Sequence, residues 1–347
     1  MIYFHNDYNQ MCHPYVMEKL RSLQEKSMMG YGMDTSCANA AQMIRTACGR
    51  EDVAVHFLVG GTQANLTVIS AALRPHEAVV GARTAHINVH ETGAIEATGH
   101  KVIALPSEDG KLTAAQVEQL LLAHLSDSDR EHTARPRMVY ISQSTELGSI
   151  YSKRELTALY EVCRKYGLYL FADGARLGYA LAAQDADLTL QDMAELCDVF
   201  YIGGTKQGAM MGEAVVICNP GIAEEFRYLI KQRGGMLAKG WLLGAQFEAL
   251  LEDGLYFKIA AEADKLADRI RDALDAAGIP QLIPGTTNQV FPVLSLEQME
   301  RVGKDFTFSR IEQVDDGHWC IRFCTSWASK QEDVDALCAK IREISEN

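Results

Sequence analysis

The sequence has 347 residues, and its 46 acidic side chains outnumber its 33 basic ones, which gives a formal net charge of −13 at pH 7. A protein that binds a nucleic-acid backbone or an anionic membrane surface needs a basic face, and no cluster of lysine and arginine stands out here. No apolar run approaches the roughly 18 residues of a membrane span, and residues 1–10 lack the basic and apolar regions of a signal peptide. We therefore predict a cytoplasmic protein that binds neither nucleic acid nor membranes.

The cysteines agree with a reducing compartment, because nine scattered cysteines cannot form a closed disulfide framework. No two of them form a CxxC pair. Cys320 and Cys324 share one face of a predicted strand, but two thiols without further ligands are more typical of small buried apolar residues than of a metal site. The cysteines therefore predict neither a disulfide scaffold nor a bound metal.

Short apolar runs alternate with helical patterns over the first two thirds of the chain. This alternation is typical of a mostly parallel sheet with helices on both faces. The last apolar run, 211–218, follows the run 199–202 too closely for a parallel crossover, so we expect these two strands to be antiparallel. The predicted strand and helix pairs are 53–59 with 62–73, 78–81 with 89–97, 101–105 with 113–125, 138–142 with 153–166 and 168–172 with 177–183, followed by strands at 199–202 and 211–218.

The pattern changes after residue 222, where long helical stretches lead into short strands. This mixture predicts a smaller α+β domain. We predict a large α/β domain over 1–250, whose N-terminal segment also contributes to a dimer and to the small domain, and a small domain over 251–347. The predicted helices are 222–232, 241–252, 256–277 and 330–344, the predicted strands are 288–294, 306–311 and 319–323, and a short helix is predicted between the first two of these strands.

The first chemically informative feature is a glycine-rich junction between a strand and a helix, at Gly60, Gly61 and Thr62. Such a junction binds anions, because unpaired helix N–H groups point outward, glycine lets a ligand approach the backbone, and Thr62 adds a hydroxyl. The alternative is an ordinary tight turn. The junction matches neither the dinucleotide nor the P-loop glycine pattern, which argues against an NAD-dependent oxidoreductase.

Two charged residues follow predicted strands farther along the chain. Asp173 comes directly after the strand 168–172, and Lys206 follows the strand 199–202 in a glycine-rich stretch. Their separation of 33 residues fits one strand–helix–strand crossover, which brings both strand ends to the same edge of the sheet. Taken singly, each has an ordinary interpretation, as a helix-capping aspartate or as a solvated lysine.

An anion site, a strand-end carboxylate and a strand-end lysine are the three parts that pyridoxal 5′-phosphate (PLP) requires. The phosphate group needs a helix N-terminus, the pyridine nitrogen needs an acidic partner that keeps it protonated, and the aldehyde needs a lysine for a Schiff base. Each part is a weak signal alone. Their order and their shared sheet edge predict a PLP site with the cofactor bound covalently to Lys206.

The stretches HNDY, Tyr31-Gly32, GGTQAN, AHINVHETGA, FADGARLG, GGTKQGA, QRGGM and IRFCTSW carry a resemblance to a known family. The chain resembles the low-specificity L-threonine aldolase and β-eliminating lyase family of fold type I PLP-dependent enzymes over essentially its whole length. The resemblance implies an α/β fold of the PLP-dependent transferase type, with a mostly parallel sheet, helices on both faces and a smaller C-terminal α+β domain. It also implies a homodimer or homotetramer whose active sites are shared between subunits.

The resemblance implies roles for the residues that bind the cofactor. Lys206 would form the Schiff base, and Asp173 would be the partner of the pyridine nitrogen. The junction Gly60–Thr62 would hold the phosphate group. His86 would stack on the cofactor ring and take part in catalysis.

The resemblance also implies roles on the substrate side. Arg176 and Arg322 would bind the substrate carboxylate, a task that suits the bidentate guanidinium group. Glu146 stands where many threonine aldolases have a histidine that handles the substrate hydroxyl. Asn6 stands where a serine is commoner in the family. Both are predicted substrate contacts, and the exchange at Glu146 leaves the natural substrate open.

Two further positions carry alternatives. The family often has an arginine after the GGM motif, where this sequence has Leu237, so Arg233 or Lys239 is the candidate for a phosphate contact from a neighbouring subunit. His86 and His90 are four residues apart, as in a helical metal site, but the glutamate of an HExxH motif and a third ligand are missing. We therefore predict no metal there.

The sequence thus predicts a PLP-dependent lyase that cleaves β-hydroxy-α-amino acids, such as threonine and allo-threonine, to glycine and an aldehyde by a retro-aldol reaction. His86, Glu146 or a bound water could take the proton of the β-hydroxyl group, and the sequence does not choose among them. One alternative is a β-eliminating lyase for amino acids with a good leaving group. An alternative of another class is a non-catalytic protein that keeps the fold for binding a ligand.

Overall fold

The computed structural model describes residues 1–345, in which thirteen β-strands are found. The strands are, in chain order, β1 Ile2–Tyr3, β2 Ala54–Leu58, β3 Glu77–Ala82, β4 Lys101–Leu105, β5 Arg135–Ser142, β6 Tyr169–Asp173, β7 Val199–Gly203, β8 Glu213–Ile217, β9 Gln289–Val290, β10 Val293–Ser295, β11 Phe306–Thr307, β12 Ser309–Gln313 and β13 His318–Cys324.

Fourteen α-helices lie in the same described part of the chain, and several have capped ends. One of them follows Ser152, whose hydroxyl and N–H group both bond to Glu155, and it ends at Gly167 in the left-handed conformation. The helices are α1 Pro14–Ser22, α2 Thr35–Cys48, α3 Gly61–Ala72, α4 His86–Val89, α5 Ala114–Ser126, α6 Lys153–Tyr166, α7 Leu177–Ala182, α8 Leu190–Leu196, α9 Pro220–Ala223, α10 Phe226–Gln232, α11 Trp241–Leu251, α12 Leu255–Ala276, α13 Leu296–Gly303 and α14 Gln331–Ser345.

Strands β2 to β8 form one sheet in the order β2-β8-β7-β6-β5-β3-β4. β8 runs antiparallel to both neighbours, and the pairs from β7 to β4 are parallel. This confirms the predicted mostly parallel sheet and the antiparallel strand within 211–218. Every residue of β3, β7 and β8 is buried, as in a sheet that helices cover on both faces.

A second group of strands lies toward the C-terminus. β10, β13 and β12 form an antiparallel sheet, β9 also pairs with β13, and β1 pairs in parallel with β11. The buried apolar residues follow this division. One large cluster surrounds the seven-stranded sheet, and another joins Phe4 to the later part of α12, β13 and α14. The boundary at residue 250 stays a prediction.

Four predicted elements differ in the structure. The predicted strand 306–311 is two strands, β11 and β12, which pair with different partners. The other three differ for reasons of backbone geometry. The predicted helix 222–232 is two helices, because Glu225 between them has a φ of 56°. The predicted strand 288–294 is broken into β9 and β10, because Pro292 between them has no N–H group for the ladder. The predicted helical stretch 89–97 is reduced to α4 and one 3₁₀ turn, with Gly93 at a φ of 73° between them.

The sequence patterns above did not predict α1, α2 and α8. Helix α2 has clear local signals, since Asp34 accepts the Cys37 N–H at 2.8 Å and Gly49 ends the helix in the left-handed conformation. None of the described helices has the length and apolar character that a membrane crossing requires. Each of the nine cysteines is a free thiol.

Candidate active site

A cavity of about 350 Å³ opens at the carboxyl ends of the central parallel strands. This is the edge at which open α/β sheets bind ligands. Most of the residues predicted from the sequence meet there, on the ends of β5, β6 and β7 and on the starts of α3 and α4. The lining residues include Gly60, Gly61, Thr62, His86, Ser142, Ser144, Glu146, Asp173, Arg176, Tyr201, Lys206 and Glu213.

The glycine-rich junction forms the first turn of α3. Gly61 begins the helix, and the preceding Gly60 gives it no side-chain cap. The N–H groups of this turn therefore remain available to an anionic ligand. A Cβ atom on Gly61 would come within 3.0 Å of the Tyr201 hydroxyl, so a larger residue there would crowd the cavity wall.

Lys206 is positioned by the close contact between the loops that follow β6 and β7. The Gly203 N–H donates to the Gly174 carbonyl at 2.9 Å, and a Cβ on Gly174 would collide with the Tyr201 carbonyl at 1.7 Å. The Lys206 carbonyl accepts the Tyr179 hydroxyl at 2.7 Å, which fixes the backbone. Burial, together with the charge of Arg176, lowers the pKa of the Lys206 ammonium, which favours the neutral amine that a Schiff base requires.

Asp173 lies at the end of β6 and is held by several donors. Oδ2 accepts the Tyr140 hydroxyl at 2.5 Å and the Asn65 amide at 3.1 Å, and Oδ1 accepts the Ala175 N–H at 2.9 Å. Burial opposes ionisation, but the charge of His86 and the tyrosine hydrogen bonds outweigh it and lower the pKa of the Asp173 carboxyl. Asp173 is therefore a buried anion in the cavity wall.

A hydrogen-bonded chain joins Asp173 to His86 through two residues that the sequence analysis did not single out. The Asn65 amide also donates to Glu91 Oε1 at 2.6 Å, and this oxygen lies 2.8 Å from His86 Nδ1. The Glu91 side chain is completely buried. Burial by itself would lower the pKa of the His86 imidazole, but the Glu91 hydrogen bond and the charges of Asp173 and Glu91 raise it.

Glu146 faces the same cavity from the loop after β5. Oε1 accepts the backbone N–H of His86 at 2.9 Å and the Ser142 hydroxyl at 2.7 Å. Burial raises the pKa of the Glu146 carboxyl, the Ser142 hydrogen bond opposes that shift, and the negative charge of Asp173 adds to it. A carboxyl group with raised proton affinity thus stands beside His86.

Arg176 also lines the cavity, and it is bound to a carboxylate from the N-terminal segment. Its Nε and Nη2 atoms donate to the two oxygens of Asp7 at 2.7 and 3.1 Å. Asp7 accepts a third bond from the Asn288 amide at 2.9 Å. Burial opposes ionisation of Asp7, yet the charges of Arg176 and Lys206 and these hydrogen bonds lower its pKa to about 2. The guanidinium group is therefore fixed in orientation by a buried ion pair.

Arg322 lies on β13 and is held by neutral acceptors. Nη1 donates to the Gln289 side chain at 3.1 Å, and Nη2 donates to the His5 carbonyl at 3.3 Å. Its buried Nε atom has no hydrogen-bond partner among residues 1–345. Because no carboxylate neutralises it in that part of the chain, Arg322 keeps more capacity for an anionic ligand than Arg176 does.

Three predicted site residues are not among those that line this cavity, and Arg322 on β13 is one of them. Asn6 turns back on its own segment, where its side chain accepts the Tyr8 N–H at 3.0 Å, and it lines a separate pocket near the start of α14. Arg233 follows α10 and donates to the Ser70 hydroxyl at 3.2 Å. Their predicted roles in binding substrate and phosphate stay predictions.

The metal alternative gains no support from the described residues, in which no group of three or more potential ligands is arranged around a metal position. The rings of His86 and His90 lie 5.5 Å apart. His86 instead makes the contact with Glu91 described above. Its place in the cavity wall fits the predicted cofactor contact.

The residues of the cavity fit PLP in the chemistry of their donors and acceptors. The first turn of α3 offers N–H groups to a phosphate, Asp173 offers a buried anion to a pyridinium nitrogen, and Lys206 offers an amine. In addition, the Ser144 hydroxyl lines the cavity, is buried and has no hydrogen-bond partner within residues 1–345. An unpaired buried hydroxyl is unfavourable, which indicates that a bound group supplies the partner.

Several residues of the site had no signal of their own in the sequence. Asn65 and Asn288 are amides within a helix and a loop, and only the folded chain brings them to Asp173 and Asp7. Glu213 at the start of β8 lines the cavity and accepts the Gly204 N–H at 3.0 Å. Burial raises the pKa of the Glu213 carboxyl to about 7, although the charge of the nearby lysine opposes the shift.

Comparison with known proteins places the chain in a family. The family model described as "Beta-eliminating lyase" matches residues 16–297. A low specificity L-threonine aldolase from a Pseudomonas species is 34% identical over 338 residues, which cover 94% of this chain and 92% of the relative. The enzyme of the same description from Pseudomonas aeruginosa is 32% identical and covers 90% of this chain and 89% of its own.

Comparison with solved structures supports the same family and identifies the fold. A threonine aldolase from Leishmania major is 44% identical, superimposes with a TM-score of 0.97, and covers 99% of this chain and 100% of its own. An aspartate aminotransferase from Thermus thermophilus, at 16% identity and a TM-score of 0.73, covers 99% of this chain and 91% of its own and supports the fold alone. The predicted fold type I architecture is thereby confirmed. The chain belongs to the β-eliminating lyase and threonine aldolase family, a family of PLP-dependent lyases.

Proposed function

We propose that this protein cleaves the Cα–Cβ bond of β-hydroxy-α-amino acids of the threonine type and releases glycine and an aldehyde. One observation carries the proposal: Lys206, Asp173 and the first turn of α3 line one cavity, together with Glu146 and Arg176. The relatives named as low specificity L-threonine aldolases support this choice of reaction. No feature of the cavity favours β-elimination over it.

The chain would hold the cofactor with residues from three elements. Lys206 would bind PLP covalently as a Schiff base, Asp173 would face the pyridine nitrogen, and Gly60–Thr62 would hold the phosphate group. His86 would lie against the ring. When bound, PLP supplies an electron-withdrawing ring that accepts the electron pair of the bond that breaks.

The arginines would orient the amino acid. Arg322 is not among the residues that line the cavity, but it is the main candidate for the substrate carboxylate, because its described neighbours are neutral acceptors. Arg176 would assist from a fixed position, since two of its nitrogen atoms are already bound to Asp7. A carboxylate held by two guanidinium groups cannot rotate, so this contact would decide which bond at Cα is broken.

The Lys206→Ala variant tests the covalent role of the lysine. We expect it to lose the visible absorbance of the Schiff base and to lose cleavage activity, because no other lysine lines the cavity. Lys304→Ala is the matched control, since Lys304 is exposed and directly follows helix α13, outside the cavity lining. A Lys206→Ala protein with unchanged absorbance and full activity would refute the assignment.

Self-association of the chain is part of the proposal. Large apolar side chains are exposed along the N-terminal segment, among them Met11 at 65%, Met29 at 66% and Met33 at 61%. Such a surface is costly for a monomer in water and fits burial against a second copy of the chain. A neighbouring subunit could then bring Arg233 to the phosphate group. Light scattering of the purified protein tests this, and a monomer at micromolar concentration would contradict it.

A further inference from the structure

We propose that Glu146 is the base that takes the proton from the β-hydroxyl group of the substrate. The inference rests on the proposed carbon–carbon cleavage, which requires such a base. The Glu146 carboxyl group lines the same cavity as Lys206 and Asp173. It therefore meets the first requirement of a general base, which is access to the reacting substrate.

The carboxyl group is held so that one oxygen is fixed by two hydrogen bonds and the other has no side-chain donor in residues 1–345. Oε1 accepts two hydrogen bonds, at 2.9 Å from the His86 N–H and at 2.7 Å from the Ser142 hydroxyl. No neighbouring side chain in residues 1–345 donates a hydrogen bond to Oε2. Oε2 is thus the oxygen that can accept a substrate hydroxyl, and the two bonds to Oε1 keep it in place.

The proton affinity of Glu146 suits the task. An ordinary carboxylate is a weak base at neutral pH, and catalysis improves as its pKa approaches the working pH. Burial raises the pKa of Glu146, and the charge of Asp173 acts in the same direction against the Ser142 hydrogen bond. Both effects make the group a stronger base than a solvated glutamate.

His86 is a poorer candidate, although it lies beside Glu146. Its Nδ1 atom is engaged with the buried Glu91 carboxylate at 2.8 Å. The Glu91 hydrogen bond and the charges of Asp173 and Glu91 raise the pKa of His86 against the effect of burial, so the imidazole keeps its proton to higher pH. While it carries that proton, the imidazole cannot accept another one.

Glu213 is engaged elsewhere in the cavity. Its carboxylate accepts the Gly204 N–H at 3.0 Å, two residues before Lys206 in the chain. The charges of Glu213 and Lys206 also shift the pKa of each other. Glu213 is therefore held at the loop that carries Lys206, and Glu146 is the carboxyl group next to His86 and Ser142.

The proposed step balances in atoms and electrons. The hydroxyl proton moves to Glu146 Oε2, and the O–H electron pair becomes the second bond of the aldehyde carbonyl. The Cα–Cβ bond breaks, its electron pair remains on the amino-acid side, and one proton is then added at Cα to give glycine. Loss of the proton from Glu146 to solvent restores the carboxylate.

The acidic limb of the pH–activity profile should follow the pKa of Glu146, because only the ionised carboxylate can act as a base. Several other charged groups surround it and contribute to the observed value. The titratable groups that line the cavity with Glu146, or that interact electrostatically with Glu146 or with His86, are Tyr8, His86, Glu91, Tyr140, Tyr151, Asp173, Arg176, Tyr201, Lys206 and Glu213.

The test uses Glu146→Gln in the PLP-loaded enzyme, with Glu300→Gln as a matched control on the exposed face of α13. We expect the turnover of L-threonine to fall by about 10²- to 10⁴-fold in Glu146→Gln, the range for loss of a general base. The visible absorbance and the spectral change on binding glycine should persist, because neither requires a β-hydroxyl group. Glu146→His should recover part of the rate, with its acidic limb moved toward an imidazole pKa of roughly 6.5.

Turnover by Glu146→Gln within about threefold of the wild type would overturn the proposal. Loss of the absorbance or of glycine binding together with turnover would also overturn it, because Glu146 would then hold the site together rather than act as a base. A wild-type enzyme that binds PLP but releases no glycine from threonine would refute the proposed function itself, and the role of Glu146 would fall with it.

Discussion

The carboxylate side and the arginine side of the cavity are assembled differently. Asp173, Glu146 and His86 follow β6, β5 and β3, which are neighbours in one parallel sheet. Arg176, by contrast, is bound to Asp7, 169 residues earlier in the chain. The carboxylate side is therefore fixed by the sheet, whereas the arginine side depends on the N-terminal segment and the C-terminal strands packing against it.

Asp7→Asn should have the largest effect, and on the arginine side alone. Removing the charge leaves the buried Arg176 guanidinium without an anionic partner, which costs about 3 to 5 kcal/mol in such pairs. We expect urea denaturation to show a loss of unfolding free energy of this size at pH 7. Asp305→Asn is the control, because Asp305 pairs with Lys340 on the surface, where such pairs contribute about 1 kcal/mol or less.

The pH dependence of this difference has a definite sign. The pKa of Asp7 falls from 3.8 to about 2 on folding, so its contribution is complete above pH 3.8 and is lost as the pH falls through 2. The difference in unfolding free energy between the wild type and Asp7→Asn should therefore shrink as the pH falls from 3.8 to about 2. A gap that is constant or grows on acidification would contradict the ion pair.

Asp173→Asn should have the largest effect on the carboxylate side, and it should appear in kcat rather than in folding. The amide keeps the shape but removes the buried anion, and loss of one such electrostatic contact costs about 10²- to 10³-fold in rate. Steady-state kinetics and thermal unfolding measured together test this. A variant that retains wild-type kcat, or one that is inactive only because it unfolds, would contradict a specific catalytic role.

Arg322→Lys should raise KM with little change in stability, because the lysine keeps the charge but loses the guanidinium fork. A hydrogen bond to a charged group contributes about 1.5 to 3 kcal/mol, which corresponds to an increase in KM of roughly 10- to 100-fold. Arg310→Lys is a suitable control, since Arg310 is exposed on the neighbouring strand β12. An unchanged KM would shift the substrate carboxylate to Arg176.

Glu91→Gln should have the smallest effect, about tenfold or less in turnover, because a charge-assisted hydrogen bond of about 1.5 to 3 kcal/mol is exchanged for a neutral one of about 0.5 to 1.5 kcal/mol. The diagnostic readout is the pKa of His86. Its carboxylate partner raises that pKa, so the variant should lower it, as followed by the NMR titration of the imidazole. If the pKa of His86 is unchanged or higher, the carboxylate does not control its protonation.

More of the carboxylate side than of the arginine side could be predicted from the sequence. Asp173 and Lys206 end apolar runs that read clearly as strands, and their separation fits one crossover, so their meeting could be predicted. The contact of Asp7 with Asn288 could not be predicted, because 281 residues separate the two and no local sequence pattern indicates a contact between residues so far apart.

The remaining differences have local physical causes. Glu91 lies in the stretch AHINVHETGA, but its contact with His86 forms across the end of the short α4, where a longer helix at 89–97 was predicted. Glu213 opens a strand that was predicted correctly, yet neither period nor spacing indicates that its carboxylate accepts the Gly204 N–H and lines the cavity with Lys206. Sequence patterns predict where strands end, but they do not predict hydrogen-bond partners that only tertiary packing brings together.

The most direct test of the central claim is identification of the products formed from L-threonine by the purified, PLP-loaded protein. Proton NMR of the reaction mixture can follow glycine, acetaldehyde and 2-oxobutanoate together, with ammonia measured by a coupled assay. The account predicts glycine and acetaldehyde in equal amounts. Release of ammonia with 2-oxobutanoate would mean that the Cβ–O bond is broken instead, and it would contradict the account.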